Sequence, residues 1–367
     1  MEITVKKADL VRELQLVQGI VERKNSIPIL SNVLAEAKGS ELRIAATDLD
    51  VSLRSACPAE VHKDGALTLG AKKLYEIARS LPDGDVRIKV LPDAWATIDC
   101  ERIQFKMAGL PREDFPALPE GKGKGGVEIP ADVLRDLIAR TAFAITAEDA
   151  RYYLAGALLL LDKDGVGMVA TDGHRLSYAH RKVALKVGEP QRVLVPRKAI
   201  QELARLLDGE AAVSFQQVEN HLTFSVGGRL LASKMIEGNF PAFEKVIALS
   251  GDKVVNLERE RLAAAIRRVS LLSSERSRAV RLSLGPGKLD LSASSPDLGE
   301  ARESLAAEYD GQGVEIGFNS QYLLDFLGVA GTEAVKLELK DHESQGMLRP
   351  AGDAATDYRY VVMPMRL

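Results

Sequence analysis

Cysteine is scarce in this sequence, with only Cys57 and Cys100 among 367 residues. Their separation does not match the ligand spacing of a zinc site, and such sparse cysteine is typical of a reducing compartment. We therefore expect two buried thiols, no metal centre and no cofactor, in a cytoplasmic protein.

Long apolar runs are also missing. The chain begins MEITVKK, which lacks the apolar core of a signal peptide. No segment approaches the roughly 20 apolar residues that a membrane-spanning helix needs. We expect a soluble protein without a membrane partner.

Neither sign of charge dominates. The net charge is −3 although 28% of the residues are charged, so bulk electrostatics would not draw the protein onto nucleic acid. Any basic surface must be local. The length and the 46% hydrophobic content exceed what one core usually holds, which predicts two or three domains.

One motif is repeated. The stretch 170–177 reads ATDGHRLS, 46–53 reads ATDLDVSL about 124 positions earlier, and 294–298 reads SSPDL about 125 positions later. An acid, a histidine and a serine near a glycine also suggest a hydrolase using Asp172, His174 and Ser177. However, the first copy has Asp50 in place of the histidine, and no nucleophile elbow is present. The shared chemistry is that of a tight turn.

The apolar spacing repeats with the motif. Leu10, Leu14, Val17 and Val21 predict a helix with Arg12, Glu13 and Gln15 off its apolar face, and alternating residues then predict paired strands. Each third reads helix, strands, helix, strands. The sequence predicts an α+β fold of three domains, 1–120, 128–248 and 249–367, each a doubled βαβββ unit, with six helices in all.

The run 121–126, GKGKGG, joins the first two domains. It lacks the order of a phosphate-binding loop, and no strand leads into it. A flexible linker is the favoured interpretation.

A triplicated domain with one helical face and one sheet face favours a curved or closed array. Six helices, each about 10 Å wide, would enclose a bore of roughly 19 Å, whereas twelve from two chains would enclose about 38 Å, enough for a B-form duplex. Basic residues lie off the apolar stripes of the helices and in nearby loops: Lys6, Lys7, Arg12, Arg23, Lys24, Lys72, Lys73, Arg79, Arg135, Arg140, Arg151, Lys198, Arg205, Arg261, Arg267 and Arg268. They are either solvated helix faces or a weakly positive bore that touches phosphates.

Several stretches resemble one known family. They are 151–154, 170–176, 195–198, 239–241, 317–319 and 360–367, and together they are similar to the bacterial DNA polymerase III beta subunits, the replicative sliding clamps. The resemblance covers the whole chain. It implies a head-to-tail homodimeric ring, with helices inside and sheets outside, that encircles duplex DNA without reading its sequence.

The resemblance also implies partners: the clamp loader, the replicative polymerase alpha subunit, and other polymerases and repair proteins that insert a short peptide into a groove. By position, the groove would consist of Leu154, Thr171, Gly173, His174, Arg175, Leu176, Pro241, Lys245, Val246, Asn319, Tyr322, Val361, Val362, Met363, Pro364, Met365 and Arg366. Methionines offer a soft surface that suits several ligands. A Met-Pro-Met terminus is also compatible with a strand end packed on a core.

DNA contacts carried over from the family fall on Lys24, Lys72, Tyr152, Tyr153 and the acid Glu148. Because an acid does not hold a phosphate directly, Arg151, which is close to Glu148 in sequence, takes its place in the predicted DNA-binding set. The dimer interface would place Leu271 and Leu272 against Lys73 and Met107 of the other chain, with Glu300 and Glu303 pairing across it. This implies a non-enzymatic processivity factor. The alternative is a repeat scaffold that binds peptides without DNA.

Overall fold

The computed structural model describes residues 1–21, 27–119, 126–146, 149–353 and 355–366; the side chains of residues 149–150 are not described. Its contacts divide the chain into two units. Unit 1 comprises residues 1–132 and 198–235, and unit 2 comprises residues 133–197 and 236–367.

Seven α-helices occur in the described residues. They are α1 (Lys7–Val17), α2 (Ala71–Ser80), α3 (Ala131–Thr141), α4 (Arg197–Leu206), α5 (Phe243–Ile247), α6 (Arg259–Ser270) and α7 (Ser320–Val329). None of them is long and apolar enough to cross a membrane.

The strands of the first half of the chain are β1 (Glu2–Lys6), β2 (Asn32–Lys38), β3 (Glu41–Thr47), β4 (Val51–Lys63), β5 (Gly65–Gly70), β6 (Asp85–Val90), β7 (Trp95–Cys100), β8 (Ile103–Leu110), β9 (Val127–Pro130), β10 (Gly156–Asp162), β11 (Gly165–Thr171) and β12 (Arg175–Lys182). Those that follow are β13 (Gln191–Pro196), β14 (Ala212–Val218), β15 (His221–Val226), β16 (Arg229–Lys234), β17 (Lys253–Glu258), β18 (Ala279–Gly285), β19 (Lys288–Ser295), β20 (Gly299–Ala306), β21 (Val314–Asn319), β22 (Ala334–Leu339), β23 (Gly346–Pro350) and β24 (Thr356–Val362).

The order of elements confirms the predicted repeat. Apart from α5 and short 3-10 turns, the chain runs βαβββ six times, twice in each third. The fourth strands of the three copies, β4, β12 and β20, begin at Val51, Arg175 and Gly299, which are evenly spaced by 124 residues. Each copy is therefore the same pair of βαβββ units.

Unit 1 contains one twelve-stranded sheet, in the order β1-β6-β7-β8-β5-β2-β3-β4-β16-β15-β14-β9. The long strand β4 pairs with β16 through residues 51–54 and with β1 through residues 59–63, antiparallel in both cases. Strand β4 thus joins the first copy to the last strand of the second copy.

Unit 2 contains an eight-stranded sheet, β13-β10-β11-β12-β24-β23-β22-β17, and a four-stranded sheet, β20-β19-β18-β21. In the larger sheet β12 pairs antiparallel with β24, and Arg175 lies opposite Val362. The last strand of the third copy therefore adds to the fourth strand of the second.

The apolar stripe of α1 is where the spacing placed it, because Leu10, Leu14 and Val17 are fully buried. The helix ends at Val17, so Val21 lies beyond it. The prediction was wrong for Glu13, whose side chain is also buried. Its carboxylate accepts two hydrogen bonds from Arg229 on β16, which compensates for the loss of water.

Leu154 ends a 3-10 helix at Asp149–Leu154. The buried residues of α7 include Leu323, Phe326 and Leu327. The sequence predicted six helices, and the five-residue helix α5 is a seventh that it did not predict. The expected linker at 121–126 lies almost wholly outside the described residues.

Candidate functional site

The turn between β11 and β12 is closed by its own side chains. The Thr171 hydroxyl donates to the Arg175 carbonyl at 2.6 Å and accepts from the Gly173 amide at 3.1 Å. Asp172 Oδ1 accepts the amides of His174 and Arg175 at 2.9 and 3.0 Å. Gly173 has a φ of +87°, which a residue with a side chain rarely adopts.

The turn between β3 and β4 repeats this chemistry. The Thr47 hydroxyl donates to the Val51 carbonyl and accepts from the Leu49 amide, and Asp48 Oδ1 accepts the Val51 amide at 2.6 Å. Leu49 has a φ of +80°, at the place of Gly173. The shared motif is therefore a turn, as the sequence predicted.

Arg175 connects this turn to the rest of unit 2. Its guanidinium donates to Asp172 Oδ2 at 3.1 Å, to Asp325 Oδ2 at 2.5 Å and to the Phe143 carbonyl at 2.7 Å. It also lies over the Tyr322 ring, 4.3 Å from its centre. Only 10% of the Arg175 side chain is exposed. Its hydrogen bonds to Asp172, Asp325 and Phe143 hold the turn in position.

Ser177 is fully buried, whereas His174 is exposed. The Ser177 hydroxyl donates to the Arg140 carbonyl at 2.6 Å, and Asp172 is occupied by backbone amides of the turn. A serine nucleophile needs access to substrate and a hydrogen bond to its base. The geometry thus gives no support to the hydrolase hypothesis.

An apolar cluster lies beside the turn in unit 2. Leu176 and Val361, directly opposite each other on β12 and β24, are buried in it. Phe243 and Ile247 of α5 and Met347 of β23 pack with them. Sequence patterns did not predict these last three residues, because a five-residue helix is too short to show a helical period and Met347 belongs to no motif.

The segment after β24 continues across unit 2. The Met363 amide donates to the His174 carbonyl at 2.9 Å, and the Met365 amide donates to the Gly317 carbonyl at 2.8 Å. Residue 317 belongs to β21, two positions before Asn319, which caps α7 by accepting from the Gln321 amide. The turn, the C-terminal segment and the start of α7 are therefore brought together.

The exposure of the predicted groove residues is mixed. Buried members are Leu154, Thr171, Leu176, Val361 and Val362; partly buried members are Arg175, Val246, Asn319, Tyr322, Pro364 and Met365; exposed members are Gly173, His174, Pro241, Lys245, Met363 and Arg366. Val246 packs on the apolar cluster, and its carbonyl accepts from Gln345 Nε2 at 2.8 Å. Met363, 46% exposed, is an apolar side chain left open to solvent.

The 3-10 helix at Asp149–Leu154 carries three of the residues predicted to contact DNA. Tyr152 is 61% exposed, and its ring meets that of Tyr153 edge to face at 5.8 Å. Arg151 lies against the turn. Its Nη1 atom is so close to Gly173 that a Cβ atom on this glycine would be only 2.5 Å away. Lys24 and Glu148 lie outside the described residues.

Some of the predicted basic residues are exposed to solvent, and others form ion pairs and hydrogen bonds inside the protein. Lys72 and Lys73 on α2 are exposed, at 3.9 and 2.7 Å from the Glu76 carboxylate. Arg140, however, is buried between Asp136 and Asp353. Lys198 bonds Asp48 Oδ2 at 2.5 Å and the Ile20 carbonyl at 2.8 Å. Arg140 and Lys198 therefore support the fold.

The residues predicted at a dimer interface lie on surfaces of each unit. In unit 1, Met107 is partly buried on β8. In unit 2, Leu271 is 76% exposed just after α6, and Leu272 is partly buried. Glu300 pairs with Arg302 at 2.9 Å. Glu303 is held within the chain by two hydrogen bonds from Arg268.

Both cysteines are free and buried, as expected. Burial is the main reason that the pKa of the Cys57 thiol is raised to about 12, which leaves it protonated and unreactive at neutral pH. Across the ranges that the structure covers, no group of three or more His, Cys, Asp or Glu side chains could hold a metal ion.

Known proteins share both the sequence and the fold. Residues 1–119, 128–242 and 244–366 match the N-terminal, central and C-terminal domains of the DNA polymerase III beta subunit. The chain is 41% identical to the beta sliding clamp of Pseudomonas putida and 37% identical to that of Caulobacter vibrioides, covering all of each protein. It superposes on the DNA polymerase III subunit beta of Pseudomonas aeruginosa with a TM-score of 0.94 and 40% identity, over 100% of both chains.

Three copies of a doubled βαβββ unit, joined strand to strand, define a clamp-type repeat protein. The copies are joined where β4 pairs with β16 and where β12 pairs with β24. The chain belongs to the DNA polymerase III beta subunit family.

Proposed function

We propose that this chain is a sliding clamp: two copies close head to tail into a ring around duplex DNA and tether the replicative polymerase to it. The helices would line the ring and the sheets would form its outside. The chain is similar to beta sliding clamps, and we expect it to act in the cytoplasm as a processivity subunit without catalysis.

This proposal rests on two strand edges, those of β8 and β20, that lack a partner strand among the described residues. The fourth strand of the first copy, β4, pairs with the eighth strand of the second, β16, and likewise β12 pairs with β24. The fourth strand of the third copy, β20, ends its sheet. The eighth strand of the first copy is β8. Its residues 103–108 pair with β7 on one side and with no described strand on the other.

A second chain placed head to tail would pair its β20 with β8 of the first chain, and its β8 with β20 of the first chain. Within unit 1, Val51 lies opposite Ser233. Strand β20 begins 248 residues after β4, and β16 begins 126 residues after β8, so the same register places Gly299 opposite Met107 and Glu300 opposite Lys106. Ile103 and Leu271, 40% and 76% exposed, would be covered. A long exposed edge with apolar side chains favours pairing with another chain.

Contact with DNA would be electrostatic and weak. The exposed ammonium groups of Lys72 and Lys73 can approach phosphates without first breaking a buried ion pair. Lys24, Arg151, Tyr152 and Tyr153 are proposed to add to them. Sequence-independent phosphate contact permits sliding, while enclosure keeps the polymerase at high effective concentration near the primer end.

The partner groove is proposed at the turn, the C-terminal segment and the apolar cluster of unit 2. Leu176, Val246 and Val361 offer an apolar floor, and the exposed Met363 and His174 border it. A clamp loader, polymerases and repair proteins would insert an extended peptide there. All seventeen residues named for the groove in the sequence analysis remain the proposed set, together with Phe243, Ile247 and Met347.

The domain boundaries are proposed to follow the repeat, at 1–120, 128–248 and 249–367. Each range would contain one doubled βαβββ unit. The matches to three consecutive family domains support this division.

Retention on closed DNA tests the function. After loading by a clamp loader, the protein should stay on a nicked plasmid through gel filtration and leave when a restriction enzyme linearises it. Equal loss from circular and linear DNA would contradict a ring and would favour the peptide-binding scaffold.

A further inference from the structure

A cavity of about 710 Å³ opens on unit 1, where β4 meets β16. Its walls come from β2, β3 and β4, and residues 112–118 form one rim. Leu34, Phe115 and Leu118 give it an apolar floor, packed on the buried Leu30 and Ala45. It is distinct from the groove described above, which lies in unit 2.

The repeat relates this cavity to that groove. Leu34 and Ala45 stand 124 positions before Leu158 and Val169, which belong to the apolar cluster of unit 2. In the same way β4 and β16 correspond to β12 and β24. The cavity therefore occupies the place in the first copy that the proposed peptide groove occupies in the second.

Smaller side chains distinguish the first copy. Leu176 and Val361 lie opposite each other in unit 2, whereas Ser52 and Ala232 are the opposed pair on β4 and β16. These two smaller residues line an adjoining cavity of about 220 Å³ that reaches Pro116 and Leu118. A continuous depression thus follows the strand junction.

A buried hydroxyl faces the larger cavity without a partner. Ser55 is 4% exposed and lines the cavity, and its Oγ is one of two buried side-chain atoms among the described residues that make no hydrogen bond. Ala179 stands 124 positions later, so the fold does not require a hydroxyl here. An unmet buried polar group favours a ligand that bonds it.

Three arginines line the cavity, and among the described residues one of them, Arg54, has no acidic partner. Arg43 pairs with Glu41 at 2.6 Å, and Arg112 pairs with Glu36 at 3.7 Å. Arg54 is partly buried and donates to the Leu118 carbonyl at 2.7 Å. Across the described part of the chain, no carboxylate lies within 4.0 Å of it. Arg54 is therefore suited to bind an incoming carboxylate.

We propose that this cavity is a second peptide-binding groove, which takes an extended segment of a partner protein with one apolar anchor side chain close to a carboxylate. The anchor lies on Phe115 and Leu118, the carboxylate meets Arg54, and a polar backbone atom of the segment bonds Ser55. Two grooves per chain would let two partners dock at once.

Fluorescence polarisation on the full chain, without DNA, tests this groove. The probe is a panel of labelled hexapeptides, each with one Leu or Phe and with Asp or Asn two to three residues away. We expect the Asp peptides to bind and the Asn peptides to bind about tenfold more weakly, as loss of a charged hydrogen bond implies. Arg54→Gln should remove this preference, and Ser55→Ala should weaken binding without lowering the melting temperature.

Two further variants locate the site. Ala56→Trp fills the cavity from an exposed position on its wall and should abolish binding, whereas Ala212→Trp, exposed on β14 and outside the cavity, should not. Deleting residues 363–367 should leave this binding unchanged. Binding that disappears only with that deletion, or no binding by any peptide, would overturn the second groove, whereas plasmid retention would still report on the ring. A changed oligomeric mass for Ala56→Trp would instead assign the cavity to contact between copies.

Discussion

Glu13 and Arg229, 216 residues apart, form a two-point ion pair in unit 1. Arg229 Nε and Nη2 donate to the two carboxylate oxygens of Glu13, each at 2.9 Å. The side chain of Glu13 is 1% exposed. The pair therefore joins the first helix of the first copy to the last strand of the second through a buried contact.

Replacing Glu13 by Gln should lower the free energy of unfolding by at most about 3–5 kcal/mol, since it removes the two-point partner of Arg229 and leaves only Glu210, at 3.6 Å, as its counter-charge. The effect should depend on pH. Burial raises the pKa of Glu13, but the hydrogen bonds from Arg229 and Arg12 outweigh it and lower the pKa below its ordinary 4.5. The advantage of the wild type is then fully present above pH 4.5 and is lost as pH falls through the folded-state pKa.

Urea unfolding of both proteins across this pH range measures the difference. Glu343→Gln, at a position whose side chain is 86% exposed, is the matched control and should change stability little at any pH. A Glu13→Gln protein as stable as the wild type at pH 7 would contradict the role of the pair.

Arg175→Lys should loosen the turn between β11 and β12. Lysine lacks the planar fork that reaches Asp172, Asp325 and the Phe143 carbonyl together. We expect a lower melting temperature and, because His174 and Leu176 shift, weaker binding of a partner peptide. Arg261→Ala, exposed on α6, should leave both unchanged; unaltered peptide affinity in Arg175→Lys would separate the turn from the groove.

Deleting residues 363–367 should abolish binding of partner peptides while the dimer persists. Met363 and Met365 each contribute one backbone hydrogen bond to the described structure, and Met363 is exposed. Titration calorimetry and analytical ultracentrifugation measure the two properties. A monomeric product would show that this segment belongs to the core.

Leu271→Glu should convert dimers to monomers. The side chain is 76% exposed in the isolated chain, and an interface that buries it would have to desolvate a charge. Leu249→Glu is the matched control, because Leu249 is 61% exposed but lies at no proposed interface. Sedimentation at micromolar concentration distinguishes them, and two unchanged dimers would place the interface elsewhere.

Lys72→Ala combined with Lys24→Ala should weaken DNA affinity and reduce its salt dependence. For every phosphate that a lysine no longer neutralises, the slope of log affinity against log salt should fall in magnitude by about 0.9. Lys288→Ala, exposed on β19 and paired with Asp290, is the control. An unchanged slope would remove these two lysines from the DNA surface.

Local patterns predicted the repeat because each copy carries its own signals. Thr171 and Asp172 close a turn with groups only two to four residues away, so the sequence is sufficient to identify it. Leu10, Leu14 and Val17 likewise report one helix face. These contacts need no knowledge of the rest of the chain.

Local sequence patterns could not predict contacts between residues that are far apart in the chain. The burial of Glu13 depends on Arg229, and that of Arg175 depends partly on Asp325, 150 residues later. A charged side chain ordinarily indicates the surface, and the partner that reverses this interpretation is invisible until the strands are paired. The family resemblance predicted the groove residues, Lys245 and Val246 of α5 among them, but not that Phe243 and Ile247 of the same helix pack in the apolar cluster.

The even spacing of β4, β12 and β20 has a further consequence for assembly. In the proposed ring every copy would give one strand edge to a neighbour and receive one, so closure would depend on the total number of copies and not on how many are covalently linked. Six single-copy chains or three two-copy chains could form the same closed array. Linking three copies in one chain would reduce the joints between separate chains to two, and a loader would have only those two places at which to open the ring.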